Sequence, residues 1–231
     1  MNMRKKRGYK RVHSGLKKDY RLFAIACEGA KREAEYFQLL ESLSQRITID
    51  IIEDKVPDTE MKTKYETKSA PKWLLDRAVK YIEKEGLIDE DELWFVMDID
   101  RWKIEQIREI AELCKKNPNW HIAISNPCFE IWLYFHMSVT IPNEVKENCK
   151  KAKNKLSKLT DNGYNKDEYI LKIKDAIKNS KKVDTNLNHF LPNKGETKVY
   201  LLAESLIDYV GVNDFNKFIG MMKNKSREQK I

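Results

Sequence analysis

Four short apolar runs, "RLFAIAC", "ITIDIIE", "ELWFVMDI" and "WHIAIS", separated by segments of helical period, constrain this chain more than any other feature. Each run is too short for a buried helix and reads as a strand, the first stopped by Gly29 and the second spanning Ile47 to Glu53. After the first, Ala34, Tyr36, Phe37, Leu40 and Leu43 recur on one side of a helix. A second helix starts at Pro71, a position that suits proline, and runs to Gly86 with Trp73, Leu74, Leu75, Ala78, Val79 and Ile82 on its inner face. A third spans Ile104 to Cys114 with Ile107, Ile110, Ala111 and Cys114 in helical spacing. The order β-α-β-α-β-α-β predicts an α/β fold with a mostly parallel sheet covered by helices on both faces.

Between the second strand and second helix, "DKVPDTEMKTKYETKSAP" has no apolar period and reads as a long loop of functional or mobile character. After Asn126, "PCFEIWLYFH" reads as an apolar helix with Asn126 as its N-cap and Pro127 at the first helical position. Beyond Pro142 the chain is Lys-rich and helical, broken by "TDNGYN" and "LPNKGET". The expected organisation is a basic arm over 1–20, an α/β core over 21–138 and a helical extension over 139–231 packed on that core.

The formal net charge of +8 favours a polyanionic partner, although most of the charge lies in mixed Lys/Glu faces that read as solvated helix surface. The excess gathers in "MNMRKKRGYKRVHSGLKKDY", which suits an arm lying on nucleic acid. That segment lacks the apolar core of a signal peptide, and no run approaches the ~20 apolar residues of a membrane span, so the expected location is the cytoplasm with no membrane partner. Cys27, Cys114, Cys128 and Cys149 are scattered without a C-x-x-C pair, which argues against a zinc site or a disulfide framework.

Core packing does not explain the end of "LWFVMDIDRW", where a buried run stops in Asp98 and Asp100. Parallel sheets bind ligands beyond the carboxyl ends of their strands. Glu28 closes the first strand, Asp98 and Asp100 the third, and Glu130 lies in the first turn of the helix after the fourth. Carboxylates gathered at one edge repel one another unless a cation sits among them, and hard oxygen ligands suit Mg²⁺ or Mn²⁺. If the third strand continued, Asp98 and Asp100 would point the same way and reach one ion.

Each residue also has an ordinary reading. Asp100 is placed to cap the helix that follows "RW", and Glu28 could be a polar strand end. Lys31 and Arg32, in "EGAKRE", stand where a helix N-terminus meets a phosphate. Trp102 is suited equally to stacking on a base and to packing on the third helix. His136 reads as a C-terminal cap of its apolar helix.

"IACEGAKREAEYF", "WFVMDIDRW", "ISNPCFEIWLYFH" and "LPNKGETKVYLLAESL", in this order, resemble the RloB-like family, a branch related to the Toprim fold. The resemblance implies a metal-dependent nuclease acting on RNA, transfer RNA included, or on DNA. Glu28 matches the Toprim glutamate and Asp98 and Asp100 its D-x-D, while Arg32 replaces the Thr of the family's usual E-G-x-K-T-E. Glu130 is then either a ligand of a second ion ~4 Å from the first or the residue that orients a lysine or the Asn126 turn. Lys31, Arg32, Trp102 and Asn126 become substrate contacts. The resemblance further implies a role in bacterial defence against phage with an ATPase partner, and it is compatible with an oligomer. The competing expectation is a non-catalytic nucleic-acid-binding or partner-docking subunit.

Overall fold

The computed structural model describes residues 20–28, 32–52, 70–100, 102–159 and 166–228. The basic arm up to residue 19, Gly29 to Lys31, the polar loop over 53–69, Arg101 and the "TDNGYN" break lie outside the described residues.

All four apolar runs are strands: β1 (Arg21–Cys27), β2 (Ile47–Ile51), β3 (Glu92–Asp98) and β4 (Trp120–Ser125). Their order is β2-β1-β3-β4, and every pairing is parallel. The helices between them are α1 (Arg32–Leu40), followed by a 3-10 turn, then α2 (Ala70–Glu85) and α3 (Ile104–Lys116).

β1 and β3 read as unbroken apolar runs because they are interior strands covered on both faces. Successive side chains alternate between the faces. Phe23, Ile25, Cys27, Trp94 and Val96 meet Tyr36, Phe37 and Leu40 of α1 on one side. Ala24, Ala26, Phe95 and Met97 meet Leu74 and Ala78 of α2 and Ile107 and Ile110 of α3 on the other.

Seven helices follow: α4 (Glu130–Phe135), α5 (Asn143–Glu147), α6 (Cys149–Leu156), α7 (Lys166–Leu171), α8 (Ile173–Val183), α9 (Val199–Val210) and α10 (Val212–Glu228), making ten among the described residues. They share the α1 side of the sheet, where Trp132, Tyr169, Ile173 and Leu206 belong to the same apolar cluster as β1. No helix among the described residues is long and apolar enough to cross a membrane.

The apolar helix is shorter than its sequence suggests. It begins at Glu130, with Phe129 at the N-cap position, so Asn126 is not its cap and Pro127 is not its first residue. The Asn126–Pro127 peptide is cis, and the Asn126 amide donates instead to Pro192 O at 3.0 Å. His136 does occupy the C-cap position of α4, but its ring is buried against Tyr36, Trp132 and Tyr169. Its Nδ1 lies 3.0 Å from Trp132 O, which can only accept, so Nδ1 carries the proton and Nε2 accepts from Tyr36 Oη. Burial pushes its pKa down to about 3 and keeps the ring neutral.

The break "LPNKGET" closes against β4. Ser125 and Thr197 form an antiparallel bridge, and their hydroxyls lie 2.8 Å apart. Gly195 sits at φ +80, and a Cβ there would meet Lys146 Cγ at 2.7 Å. Lys198, 1% exposed, donates to Asp184 and to Asn186 O. Burial works against the Asp184 charge, but hydrogen bonds from Lys198 and Tyr200 outweigh it and hold the carboxyl below its ordinary range. These bonds hold the segment around Gly195 beside the carboxyl end of β4.

Candidate active site at the carboxyl edge of the sheet

The chain runs from β1 outward to β2, then crosses back over β1 to β3 and on to β4. The winding therefore reverses between β1 and β3, which places the crevice of a doubly wound sheet at their carboxyl ends. The strands finish nearly level: Cys27 pairs with Val96, and Asp98 with Ser125.

Glu28 follows β1 directly, its N–H donating to Val96 O at 3.3 Å. Strand parity sends it to the α2/α3 face. There its Oε2 accepts from Trp102 Nε1 at 2.8 Å, and with Pro71, Trp73, Leu74 and Met97 the two residues line a small recess. Trp102 thus packs on the sheet and directs the carboxylate, its ring half-buried beside the second apolar cluster.

Asp98 ends β3 with the parity of Trp94 and Val96, on the α1/α4 face. Asp100 does not extend that row, because the strand stops at Asp98. Ile99 N–H bonds Ser125 O at 3.0 Å, Asp100 N–H bonds Pro127 O at 3.2 Å, and Trp102 N–H turns back to Ile99 O at 3.3 Å. The Asp100 carboxylate is exposed and accepts from Cys149 Sγ at 3.1 Å, and since the strand ends at Asp98 the strand alternation that would align the two aspartates does not extend to Asp100. The Cys128 thiol in turn donates a hydrogen bond to the Cys149 sulfur, and that bond together with burial pushes the Cys128 thiol up.

On the α1/α4 face the carboxylates crowd. Glu130, 4% exposed, accepts from Arg32 Nη1 at 2.6 Å, with Lys153 Nζ 3.9 Å away. Glu33, the last residue of "EGAKRE" and not among the site residues expected from sequence, lies buried in the same group, and its Oε2 has no hydrogen-bond partner among the described residues. Burial, then Glu130 and Glu28, raise the Glu33 pKa to about 7 against the pull of Lys153 and Arg32. Asp98 is raised well above its ordinary range by burial first, then by Glu33, Glu28, Glu130 and Asp100. A signal for Glu33 was present: with Tyr36, Phe37 and Leu40 it forms the i, i+3, i+4, i+7 stripe that α1 buries. An acid on that stripe is either paired or functional.

The edge thus gathers Glu28, Glu33, Asp98, Asp100 and Glu130 electrostatically. Among the described residues, however, no group of three or more His, Cys, Asp or Glu side chains is arranged to hold a metal ion. Glu28 is held toward Trp102, Glu130 toward Arg32 and Asp100 toward Cys149. Of the residues expected to contact substrate, Arg32 pairs with Glu130, Trp102 with Glu28 and Asn126 with Pro192 O; Lys31 lies outside the described residues.

A parallel four-stranded sheet with helices around it and an acidic carboxyl edge defines an α/β protein of Toprim-like architecture. The model of the RloB-like protein family matches residues 23–206, and the chain belongs to that family. No curated protein and no solved structure matched the chain. The family relates the chain to Toprim proteins of nuclease-like character.

Proposed function

We propose that this protein is a metal-dependent nuclease of the cytoplasm that cleaves phosphodiester bonds of RNA or DNA at the carboxyl edge of its sheet. The observation that carries the reading is the pair of crowded acids there: half-buried Asp98, raised by burial first and then by four neighbouring carboxylates, and buried Glu33, raised to about 7 with an oxygen that has no hydrogen-bond partner among the described residues. Uncompensated carboxylates of this kind destabilise a fold, and their natural complement is a divalent cation that takes oxygen ligands.

Asp98, Asp100 and Glu33 are the residues that would hold a Mg²⁺ or Mn²⁺, which when bound would neutralise charge on the phosphate under attack. Glu28, released from Trp102, would take a proton from an attacking water. Glu130 acts through its partners: it fixes Arg32 and draws Lys153 to the rim, where both offset phosphate charge. A role in phage defence, with an ATPase partner that restrains the nuclease, belongs to the same proposal and is supported by family membership alone.

The test is incubation of labelled transfer RNA, single-stranded RNA and plasmid DNA with wild type and Asp98→Ala/Asp100→Ala, in Mg²⁺, Mn²⁺ or EDTA. Cleavage by wild type alone, abolished by EDTA, is the expected result. Equal cleavage by the variant refutes the reading.

A second reading, a nucleic-acid-binding subunit without turnover, is favoured by one observation. Glu28, Asp100 and Glu130 each already hold a protein donor. No Mn²⁺ binding by calorimetry, together with no cleavage in any mixture, would select it.

A further inference from the structure

The carboxylates that would organise chemistry at this edge also repel a polyanion, so a nucleic acid reaches them only where cations stand close by. Helix α6 supplies such cations. Its sequence, "CKKAKNKL", holds four lysines and no acid. Ala152 and Leu156 are its buried residues, so the lysines line its flanks and outer face.

Two contacts tether α6 to the site: Cys149 Sγ donates to Asp100, and Lys153 lies 3.9 Å from Glu130. Lys150 stands i, i+3 from Lys153, which continues a row of lysines along the flank nearest the carboxylates. Lys151, on the helix, and Lys158, in the turn that follows it, add two further exposed cations. Lys155 is neutralised by Glu144 at 2.7 Å. Lys150, Lys151 and Lys158 are exposed and form no ion pair within 4 Å among the described residues, although Lys151 and Lys158 both lie within electrostatic reach of Glu144. On α8, by contrast, Asp175 dilutes the lysines and Lys181 pairs with Glu204.

We propose that α6 and the turn after it grip the sugar–phosphate backbone of the bound nucleic acid. Lys150, Lys151 and Lys158 contact successive phosphates and lead the strand to the Asp98–Asp100 edge. This rests on the reading of that edge as a site acting on nucleic acid. Since the contacts are to phosphate, they carry no base preference.

The test measures binding separately from cleavage. Fluorescence anisotropy of a labelled single-stranded RNA, a single-stranded DNA and a duplex DNA, in EDTA, is followed against NaCl. The proteins are wild type, Lys150→Gln/Lys151→Gln/Lys158→Gln, and a charge-matched control, Lys178→Gln/Lys182→Gln/Lys223→Gln. All six positions are exposed, and circular dichroism checks that the folds match. The α6 variant is expected to weaken single-strand binding about tenfold near physiological salt and to flatten the log–log salt slope by about 2, while the control stays near wild type.

An α6 variant that binds like wild type, or a control that falls equally, overturns the proposal. So does a wild type that binds none of the probes. The outcomes also separate this proposal from the nuclease reading. Metal-dependent cleavage that survives the α6 substitutions leaves the site intact and removes the grip. Binding that depends on α6, in a protein whose cleavage is absent or indifferent to Asp98→Ala/Asp100→Ala, leaves the grip and removes the nuclease.

Discussion

The two ends of the same sheet treat carboxylates in opposite ways. At the amino end, Asp91 is fully buried and accepts from Leu22 N–H at 3.0 Å and Ile88 N–H at 3.2 Å. Beside it Glu92 accepts from Arg21, Trp94 Nε1 and Ser205. At the carboxyl end, Glu33 keeps an oxygen with no hydrogen-bond partner among the described residues, and Asp98 faces four other carboxylates. Buried charge that is supplied with donors supports a fold, whereas buried charge left among its own kind is tolerated only where something else uses it. The comparison assigns structure to one end and chemistry to the other.

The largest effect tests the carboxyl end. Asp98→Asn removes one of the crowded charges, so metal-dependent cleavage should fall by about a thousandfold or more. In the same variant the urea midpoint should rise, by about 1 kcal/mol in stability. A variant that loses both stability and activity would make Asp98 a structural residue like Asp91.

Asp91→Ala probes the amino end and has the opposite signature. It strands two backbone donors at the edge of the sheet and should cost about 3 kcal/mol, read by urea denaturation, with the activity of the folded fraction unchanged. A neutral outcome would erase the contrast between the ends.

Acidity sharpens the comparison further. The folded-state pKa of Glu33 is raised from 4.5 to about 7, so between those values the native state binds more protons than the unfolded chain. Its contribution to stability is therefore fully present below 4.5 and lost as pH rises through about 7. Glu33→Gln lacks this dependence. The stability of the variant relative to wild type should thus increase by about 2 kcal/mol from about pH 5.5 to about pH 7. A constant difference across that range would show that Glu33 is not held among like charges.

Trp102→Phe should have the smallest effect. It removes the 2.8 Å bond that holds Glu28 toward the recess. Stability should drop by about 1 kcal/mol or less, and Mn²⁺ binding by calorimetry should tighten a few-fold as the indole's hold on Glu28 is lost. Weaker Mn²⁺ binding would mean that Trp102 positions Glu28 for the metal instead of withholding it.

Much of this was legible in the chain. The four strands and first three helices follow from runs whose period and length admit one reading, and Glu28, Asp98, Asp100 and Glu130 follow from their places at strand ends. Glu33 was equally visible as an acid on the buried stripe of α1, but its neighbours in space are Glu130 and Asp98, which no local pattern connects to it. Asn-Pro resembles a helix cap and so points to a start at Pro127 for the helix after β4. Its true start at Glu130 follows from "LPNKGET", where Gly195 N–H bonds Asn126 O and Asn126 N–H bonds Glu196 O, both from a segment far along the chain.

The sequence alone determined the elements, the parallel sheet and the edge at which carboxylates collect, because hydrophobic period and strand length are local properties of the chain. Tertiary structure decided the partners: Trp102 for Glu28, Arg32 and Lys153 for Glu130, Cys149 for Asp100 and, among the described residues, no donor for Glu33 Oε2. It also set α6 against the acidic edge, since which charges meet depends on how helices distant in sequence pack on one face of the sheet.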